Sequence, residues 1–311
     1  MSVTRAARTP RVGVVVATRN RCESLLHIVQ ILGAMPEPPP VVVVDNASQD
    51  DSVERLCALA CARLLSPATV GGRPPRRGEV AVLALAHNHG AAARTLGARA
   101  LETPYVAFSD DDSWWAPGAL ERAAKLLDEH PRLALVAGRV LVGAEQRMDP
   151  TCTEMARSPL TGFGRELPGP AVLGFVACGA VLRRRAFLEV GGFEPRLGLG
   201  GEEQLLAMDL AAAGWDLAYV EDVVAHHHPA SGARAERQTV MVRNGLWSTW
   251  LRRPPARAAA QTVSALRLAG GLPEARRGLV EAVRGLRWVA RKRRVVPPLV
   301  EADLRLLESA R

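Results

Sequence analysis

Apolar, largely β-branched stretches recur in the first third of the chain and predict strands that are buried on both faces. These strands cover residues 12–17, 41–44, 80–86 and 105–109. Helix-like segments alternate with them at residues 22–32, 52–65, 87–101 and 117–130. Strands that alternate with helices in this way predict a mostly parallel sheet, flanked by helices, with right-handed crossovers.

The rest of the chain changes from this alternation to a mainly helical pattern. Strands are predicted at residues 133–142, 173–182, 217–220 and 223–225, a weakly periodic loop at 143–170, and a helix at 202–213. From residue 233 the pattern is helical, with breaks at Pro254-Pro255, Gly270-Gly271 and Pro297-Pro298. We therefore expect an α/β domain over residues 1–232 and a helical carboxyl-terminal extension over residues 233–311.

Three consecutive carboxylates, Asp110, Asp111 and Asp112, directly follow the strand that begins at Tyr105. Adjacent like charges repel each other, and the carboxyl edge of an open α/β sheet is where ligands bind. A divalent cation such as Mg²⁺ or Mn²⁺ would relieve the repulsion and keep coordination positions open for phosphate oxygens. The alternative is a solvated acidic turn that caps the helix beginning near Pro117. Of the two, the pattern favours the metal site.

Composition places the chain among ordinary globular proteins, with 48% hydrophobic and 23% charged residues. Its five cysteines are odd in number and lack Cys-x-x-Cys spacing, which argues against a disulfide framework or a zinc site and for reduced thiols. The sequence shows no signal peptide and no apolar run of membrane-spanning length. We expect a cytoplasmic protein that is soluble or attaches peripherally to the inner face of the membrane.

Positive charge is concentrated near the carboxyl terminus, where residues 252–294 contain twelve Arg or Lys residues against two Glu residues. Such a segment suits an anionic partner, and membrane lipid, nucleic acid and an acidic acceptor are the candidates. No nucleic-acid-binding module is recognisable, so we expect no nucleic acid partner.

A candidate membrane-surface helix lies within this basic segment. Its apolar positions recur at helical spacing and are Leu279, Val283, Leu286 and Ala290. They are flanked by Arg277, Arg284, Arg287 and Arg291. A helix of this kind buries its apolar face at the headgroup boundary while its basic residues contact anionic lipid. The alternative is packing on the catalytic domain or on a second subunit, which leaves a homodimer open.

Five motifs follow one another between residues 11 and 230. They are TRNR after the first strand, VDNASQD after the second, NHGAAARTLG before the acidic strand, SDDD, and GGEE followed by a histidine. Their joint order resembles the inverting glycosyltransferase family 2 enzymes. The resemblance implies a GT-A fold with a Rossmann-like sheet. It also implies transfer of a hexosyl or deoxyhexosyl group from a nucleotide-diphosphate sugar to an acceptor hydroxyl or other nucleophile.

The same resemblance implies roles for individual residues. The donor's base and ribose would be lined by Thr18, Arg19, Asn20, Asp45 and Asn46, and its ribose and phosphates by Asn88, Arg94, Asp110 and Asp111. The metal, Mn²⁺ or Mg²⁺, would be held by Asp112, Asp110 and His226. Asn46 stands where relatives often carry Asp, and its amide oxygen can still accept from a pyrimidine imide N–H. We therefore favour a UDP- or dTDP-type donor, while the acceptor is unknown.

The GGEE segment resembles a glutamate–aspartate pair whose second carboxylate is the family's general base. Glu203 matches that second position and Glu202 the first. A carboxylate at a loop-to-helix junction can deprotonate the attacking hydroxyl, while a metal stabilises the departing diphosphate. The alternative is that both side chains merely stabilise the amino terminus of a helix.

Two other functions remain open from the sequence. A sugar nucleotidyltransferase also uses an α/β sheet with carboxylate-bound Mg²⁺, but it requires a Gly-rich phosphate loop where this chain has TRNR. A nucleotide-sugar-binding scaffold without turnover would need no base, so Glu203 argues against it.

Overall fold

One mixed sheet organises the computed structural model, which describes residues 9–60, 62–65, 73–229 and 234–310. Its strands are β1 (Val12–Thr18), β2 (Val41–Asp45), β3 (Arg63–Leu65), β4 (Val80–Ala84), β5 (Tyr105–Asp110), β6 (Ser113–Trp115), β7 (Leu133–Val142), β8 (Arg147–Met148), β9 (Ala180–Arg183) and β10 (Asp216–His227). In space they follow the order β3, β4, β2, β1, β5, β9, β7, β10, β6, and β8 pairs with β7.

The predicted parallel sheet is confirmed for the first half of the chain. Strands β3, β4, β2, β1 and β5 run parallel to their neighbours, as does β10 beside β7. Strand β9 is antiparallel to both β5 and β7, and β6 is antiparallel to β10. The antiparallel strands β9 and β6 follow the acidic motif in the sequence. They extend the sheet on the side of β5 that is opposite β1.

Twelve α-helices are present in the described part of the chain. They are α1 (Cys22–Gly33), α2 (Ser52–Ala60), α3 (Ala93–Arg99), α4 (Ala119–Glu129), α5 (Pro150–Ala156), α6 (Arg184–Glu189), α7 (Glu202–Ala212), α8 (Arg234–Arg252), α9 (Pro255–Ala269), α10 (Pro273–Arg284), α11 (Leu286–Lys292) and α12 (Pro298–Ser309). The three breaks predicted after residue 233 all fall between helices. Two of them are proline pairs, because proline is accepted in the first turn of a helix but not in its interior.

Several predicted elements have different bounds in the structure. The helix expected over residues 52–65 ends at Ala60, and β3 follows it. The loop expected over residues 143–170 contains β8 and α5, which starts with Asp149 as its cap. The long strand expected over 173–182 reduces to β9, because residues 177–179 form a 3₁₀ turn.

Two further differences concern β6 and β10. Trp114 and Trp115 form β6, which the sequence pattern did not predict as a strand. The two short strands expected over 217–220 and 223–225 are one strand, β10, with a register shift between Val220 and Val224. A bulge lets exposed residues interrupt the apolar pattern without ending the strand.

The core lies on both faces of the sheet. Central strand residues such as Val14, Val43 and Val106 are fully buried. Phe108 of β5 meets the rings of Phe187 and Phe193 at centroid distances of 5.3 and 5.5 Å. These contacts pack α6 and the segment after it against the sheet.

Ion pairs join the carboxyl-terminal helices to the α/β layer and to one another. Arg252 of α8 pairs with Asp209 of α7, and Arg253 forms a buried pair with Glu301 of α12. None of the helices in the described residues combines the length and apolarity that crossing a membrane requires. Cys22, Cys152 and Cys178 are buried free thiols and Cys57 is a half-buried one, whereas Cys61 lies outside the described residues.

Candidate active site

The carboxyl ends of three neighbouring strands bring the predicted donor-binding residues together. Thr18 is the register partner of Asp45, and Ala17 is the register partner of Asp110. Parallel strands end at the same edge of the sheet, so these side chains become neighbours although they are far apart in sequence.

The acidic triplet straddles the turn that joins β5 to β6. Asp110 ends β5, and its backbone N–H donates to the Ser113 hydroxyl at 2.7 Å. Thr18 donates its hydroxyl to Asp111 at 2.9 Å. The alternative of a solvated helix cap does not hold for Asp111, because its side chain is buried at the sheet edge.

Arg21, in the loop after β1, bridges two of these carboxylates. Its Nε atom lies 3.1 Å from Asp111 and one of its terminal nitrogens lies 3.0 Å from Asp112. Burial raises the pKa of Asp111 to about 6, although Thr18 and Arg21 act in the opposite direction. Burial also acts to raise the pKa of Asp112, but His227 and Arg21 outweigh it and the pKa is lowered. The guanidinium of Arg21 therefore balances part of the negative charge of Asp111 and Asp112.

A second charge network lies between α3 and α7. Arg94 is buried and forms an ion pair with Asp110. Gly200 and Gly201 have φ values of 102° and 84° and turn the chain so that Glu202 and Glu203 start α7. Arg94 interacts electrostatically with both glutamates.

The two glutamates differ in burial, and the pKa of each is raised. Glu202 is buried, and its Oε2 atom has no hydrogen-bond partner within the described residues. Glu203 is partly exposed. Although the residue keeps some exposed surface, its carboxylate is largely desolvated, and this desolvation, followed by the charge of Glu202, raises the pKa of Glu203 to about 8. Burial also raises the pKa of Glu202. A carboxylate with a raised pKa is a stronger base once it has lost its proton.

Three consecutive histidines occupy residues 226–228, and the sequence resemblance assigned the first of them, His226, to the metal. His226 stacks on Trp114 at a ring distance of 5.3 Å and contacts Gln146 at 2.7 Å. His227 instead faces the acidic turn, with Nε2 3.3 Å from Asp112. Successive side chains of a strand point to opposite faces, and β10 extends through His227. The histidine beside the triplet is therefore His227, not His226.

A donor set suited to a divalent cation is present at this edge. Single ligand atoms of Asp110, Cys178 and His227 all lie within 4.8 Å of one another, and Asp112 adjoins His227. Mn²⁺ accepts both carboxylate and imidazole ligands, whereas Mg²⁺ takes the carboxylate oxygens. Burial and the charge of Asp110 raise the pKa of the Cys178 thiol well above its ordinary value. The residues present fit a metal site.

Asp45 and Asn46, which were predicted to bind the donor's base and ribose, lie at the end of β2 and in the loop that follows it. Asp45 is buried, and its Oδ1 atom has no partner within the described residues. Both ends of the Asn46 amide are occupied, since it accepts from His89 N at 2.7 Å and donates to the Gly90 carbonyl at 3.1 Å. Asp45 thus has a buried acceptor atom without a partner, whereas the Asn46 side chain holds the segment that follows β4.

The remaining predicted donor residues lie on the loop after β1 and on the loop after β4. Asn20 has a positive φ of 54° and accepts from Gln49 N at 2.7 Å, which ties the β1 loop to the β2 loop. Arg19 is exposed. Asn88 accepts from Gly90 N at 2.9 Å and shapes a turn. Arg19 can reach a ligand, while Asn20 and Asn88 already have structural partners.

Four residues at or near the site were missed by the sequence analysis: Arg21, Cys178, His227 and Asn244. Arg21 lies inside the TRNR motif and His227 inside the histidine run, and strand alternation could have separated His227 from His226. Cys178 and Asn244 are isolated in sequence, so no local pattern identifies them.

A family model described as glycosyl transferase family 2 matches residues 13–191, which is more than half of the chain. The chain belongs to glycosyl transferase family 2. Pre-mycofactocin glycosyltransferase from Mycobacterium tuberculosis is 31% identical over 227 residues, which cover 70% of this chain and 43% of that protein. The chain thus spans less than half the length of this relative.

Solved structures confirm the GT-A fold. The mannosyltransferase PcManGT from Pyrobaculum calidifontis, in complex with GDP-Man and Mn²⁺, has a TM-score of 0.59 and 19% identity, covering 97% of this chain and 86% of that one. TarS from S. aureus has a TM-score of 0.56 and 17% identity, covering 81% of this chain and 41% of that one. GalNAc-T7, with UDP, GalNAc and Mn²⁺, has a TM-score of 0.55 and 14% identity, covering 80% and 49%.

Proposed function

We propose that this family 2 chain transfers a sugar from a nucleotide-diphosphate sugar to an acceptor nucleophile. A divalent cation would bind at the acidic turn, and Glu203 would act as general base. The observation that carries this proposal is the convergence of Asp110–Asp112 with Glu203 around Arg94 at the carboxyl edge of the sheet. A sugar nucleotidyltransferase or a binding scaffold would not require a base at this position.

The proposed division of roles follows from the side chains. Glu203 accepts the proton of the acceptor hydroxyl as that oxygen attacks the anomeric carbon. Arg94 keeps Asp110 in place beside α7, and Asp112 and His227 take the role of metal ligands, with His227 replacing His226. The bound cation would supply charge stabilisation for the departing diphosphate.

We further propose a UDP- or dTDP-type donor. The Oδ1 atom of Asp45 is buried and unpaired, so it would accept the imide N–H of a uracil or thymine placed against it. Thr18 and Asp111 adjoin it at the strand ends, where a ribose would lie. The PcManGT structure is a complex with GDP-Man, and a TarS structure is a complex with UDP-GlcNAc. Nucleotide sugars that carry guanine and uracil should therefore be compared as donors.

We propose that the carboxyl-terminal helices contact anionic membrane lipid. Helix α10 packs on α8 through Ala275, Gly278 and Ala282 and leaves Val283 half exposed. Seven exposed arginines nearby make no side-chain ion pair or hydrogen bond within the described residues, namely Arg267, Arg276, Arg277, Arg284, Arg287, Arg291 and Arg294. Exposed apolar residues beside unpaired arginines suit an anionic headgroup surface. A second subunit remains the competing partner.

A donor screen tests the proposed function. We expect UDP- or dTDP-sugars to raise the melting temperature only with Mn²⁺ or Mg²⁺, and a suitable acceptor to give glycoside plus nucleoside diphosphate. Asp112→Asn should abolish both effects, whereas Asp222→Asn, an exposed carboxylate outside the site, should not. Stabilisation that resists EDTA would exclude the metal role. Binding without release of nucleoside diphosphate from any acceptor would instead indicate a scaffold.

A further inference from the structure

The segment 198–201, directly before α7, carries an exposed leucine among glycines. Leu199 is 63% exposed and lies between Gly198 and Gly200. The φ values of Gly198, Gly200 and Gly201 are 72°, 102° and 84°, in the left-handed region that favours glycine. These glycines let the chain turn sharply on both sides of Leu199. An apolar side chain is therefore presented to solvent directly before the two candidate base residues.

The backbone of segment 198–201 is held on both sides. Ala91 donates its backbone N–H to the Gly198 carbonyl at 2.9 Å. The two chains approach so closely there that a Cβ atom at Gly90 would lie 2.6 Å from the Gly198 Cα. On the other side, Asn244 of α8 donates to the Gly200 carbonyl at 2.5 Å. The segment thus bridges the loop after β4 and the first helix of the extension, and its leucine stands on a fixed backbone.

A second exposed apolar side chain lies beside this segment. Met241 of α8 is 47% exposed, and a Cβ atom at Gly200 would lie 2.9 Å from its Sδ atom. The half-buried Val240 approaches the same position at 3.9 Å. The thioether therefore packs directly on the segment. We call Leu199 and Met241 the apolar rim.

The charged side chains around segment 198–201 are turned toward the helical extension. Glu194 pairs with Lys292 at 3.0 Å, and the guanidinium of Arg196 lies 5.4 Å from the ring centre of Trp288. Arg243 pairs with a glutamate of α10 at 3.0 Å. Since these groups already have partners within the protein, they favour an uncharged ligand group at the apolar rim.

We infer that the apolar rim binds an apolar group that the acceptor carries next to its nucleophilic hydroxyl. In the proposed function the donor's phosphates lie at the acidic turn, so the acceptor reaches Glu203 from the side that keeps exposed surface. Segment 198–201 leads directly into the helix that begins at Glu202, which places the rim beside that approach. This inference rests on the proposed function, and it adds the chemical class of the acceptor.

An acceptor with an alkyl or aryl substituent gains free energy at such a rim, because its apolar surface and the rim leave water together. A single exposed leucine elsewhere on a protein surface needs no explanation of this kind. Leu199 differs in three respects, since it adjoins an exposed methionine, stands on a fixed backbone and precedes the candidate base. The rim adds nothing for an acceptor that is hydroxylated on all sides, so it should distinguish octyl from methyl glycosides.

Methionine NMR tests the inference without relying on catalysis. The full chain is labelled with ¹³C at its methionine methyl groups, and Met241→Leu identifies the signal of Met241 among the six methionines. The probes are octyl glycosides of glucose, galactose and mannose, kept below micelle-forming concentrations, and the methyl glycosides of the same sugars. We expect the Met241 signal to shift in a saturable way with octyl glycosides and to stay in place with methyl glycosides.

Substitutions of exposed leucines then assign the contact. Leu199→Ser should weaken octyl glycoside binding by about tenfold, the size of effect typical of one apolar contact in a binding site. Leu199→Met keeps an apolar side chain and should bind like the unmodified chain. Leu64→Ser is the matched control, because Leu64 is 59% exposed but lies on β3, at one edge of the sheet. Neither leucine is buried, so both serine variants should keep the melting temperature of the unmodified chain.

The result that overturns the inference is a Met241 signal that does not respond to octyl glycosides, or a response that keeps its affinity in Leu199→Ser. Transfer of sugar to the same glycosides, with release of nucleoside diphosphate, is a separate measurement. Saturable binding at Met241 without transfer to any acceptor would reject only the proposed function. Transfer with equal kcat/KM for octyl and methyl glycosides would reject only the acceptor class.

Discussion

Asn244, a fully buried residue of α8, donates from its side-chain amide to the carbonyl oxygen of Gly200 at 2.5 Å. The same nitrogen also donates to the Leu197 carbonyl at 2.8 Å. These bonds attach the carboxyl-terminal helices to the loop that turns into α7, directly before Glu202 and Glu203. The helical extension therefore fixes the position of the candidate base.

The first prediction concerns this contact. Asn244→Ala should leave the Gly200 carbonyl without its side-chain donor, which costs about 1–3 kcal/mol for a buried group. The Leu197 carbonyl keeps a bond from the Arg243 guanidinium at 3.0 Å. We expect lower stability and a lower kcat with little change in donor affinity, measured by thermal unfolding and steady-state kinetics. Ser248→Ala is the matched control on the same helix, because the Ser248 hydroxyl is buried without a partner. Equal losses of kcat in both variants would contradict the positioning role.

The second prediction separates the two glutamates. Glu203→Gln keeps the shape and hydrogen-bonding capacity of the side chain but removes its basicity, so the rate should fall by about 10²–10⁴. Donor affinity should stay nearly unchanged, and Glu202→Gln should reduce the rate less. Single-turnover rates and donor binding measure the two effects. The reverse order of the two variants would move the base assignment to Glu202.

The third prediction follows from the raised pKa of Glu203, about 8. A base must be deprotonated, so kcat/KM should rise with pH along a limb near that value. Glu202→Gln removes the neighbouring charge, which should move the limb to lower pH. Between the ordinary pKa of 4.5 and about 8 the native state binds more protons at Glu203, so this group lowers stability as pH rises. A limb that stays in place in Glu202→Gln would contradict the electrostatic coupling.

The fourth prediction compares neighbouring histidines. His227→Ala should weaken Mn²⁺ binding by at least about tenfold, because it removes a side chain next to Asp112. His226→Ala is the matched control, since that ring stacks on Trp114 on the opposite face. The electron paramagnetic resonance signal of free Mn²⁺ reports binding directly. Stronger weakening in His226→Ala would restore the assignment made from the sequence resemblance.

The fifth prediction concerns lipid binding. Intact protein should float with anionic but not neutral vesicles, and salt should weaken the association. Removal of one basic residue should weaken the binding free energy by about 1 kcal/mol. Arg287→Glu should weaken it by more, because the substitution reverses the charge. Arg147→Glu is the control, since Arg147 is also exposed but lies outside the helical extension. Salt-independent binding or equal effects of both variants would reject the lipid surface.

Much of the fold could be predicted from the sequence, because the pattern that carries it is local. Apolar stretches predicted β1, β2, β4, β5 and β7 close to their observed bounds, and Pro and Gly pairs predicted the breaks among the carboxyl-terminal helices. The order of motifs also identified the family and the acidic turn.

Tertiary structure decided what local patterns do not encode. Strand β6 exists because it pairs with β10, and that pairing brings His227 to Asp112. Cys178 and Asn244 reach the site from segments with no motif of their own. The periodicity of apolar residues along the chain indicates which side chains are buried. Which of these residues contact each other depends on strand register and on contacts between elements remote in sequence.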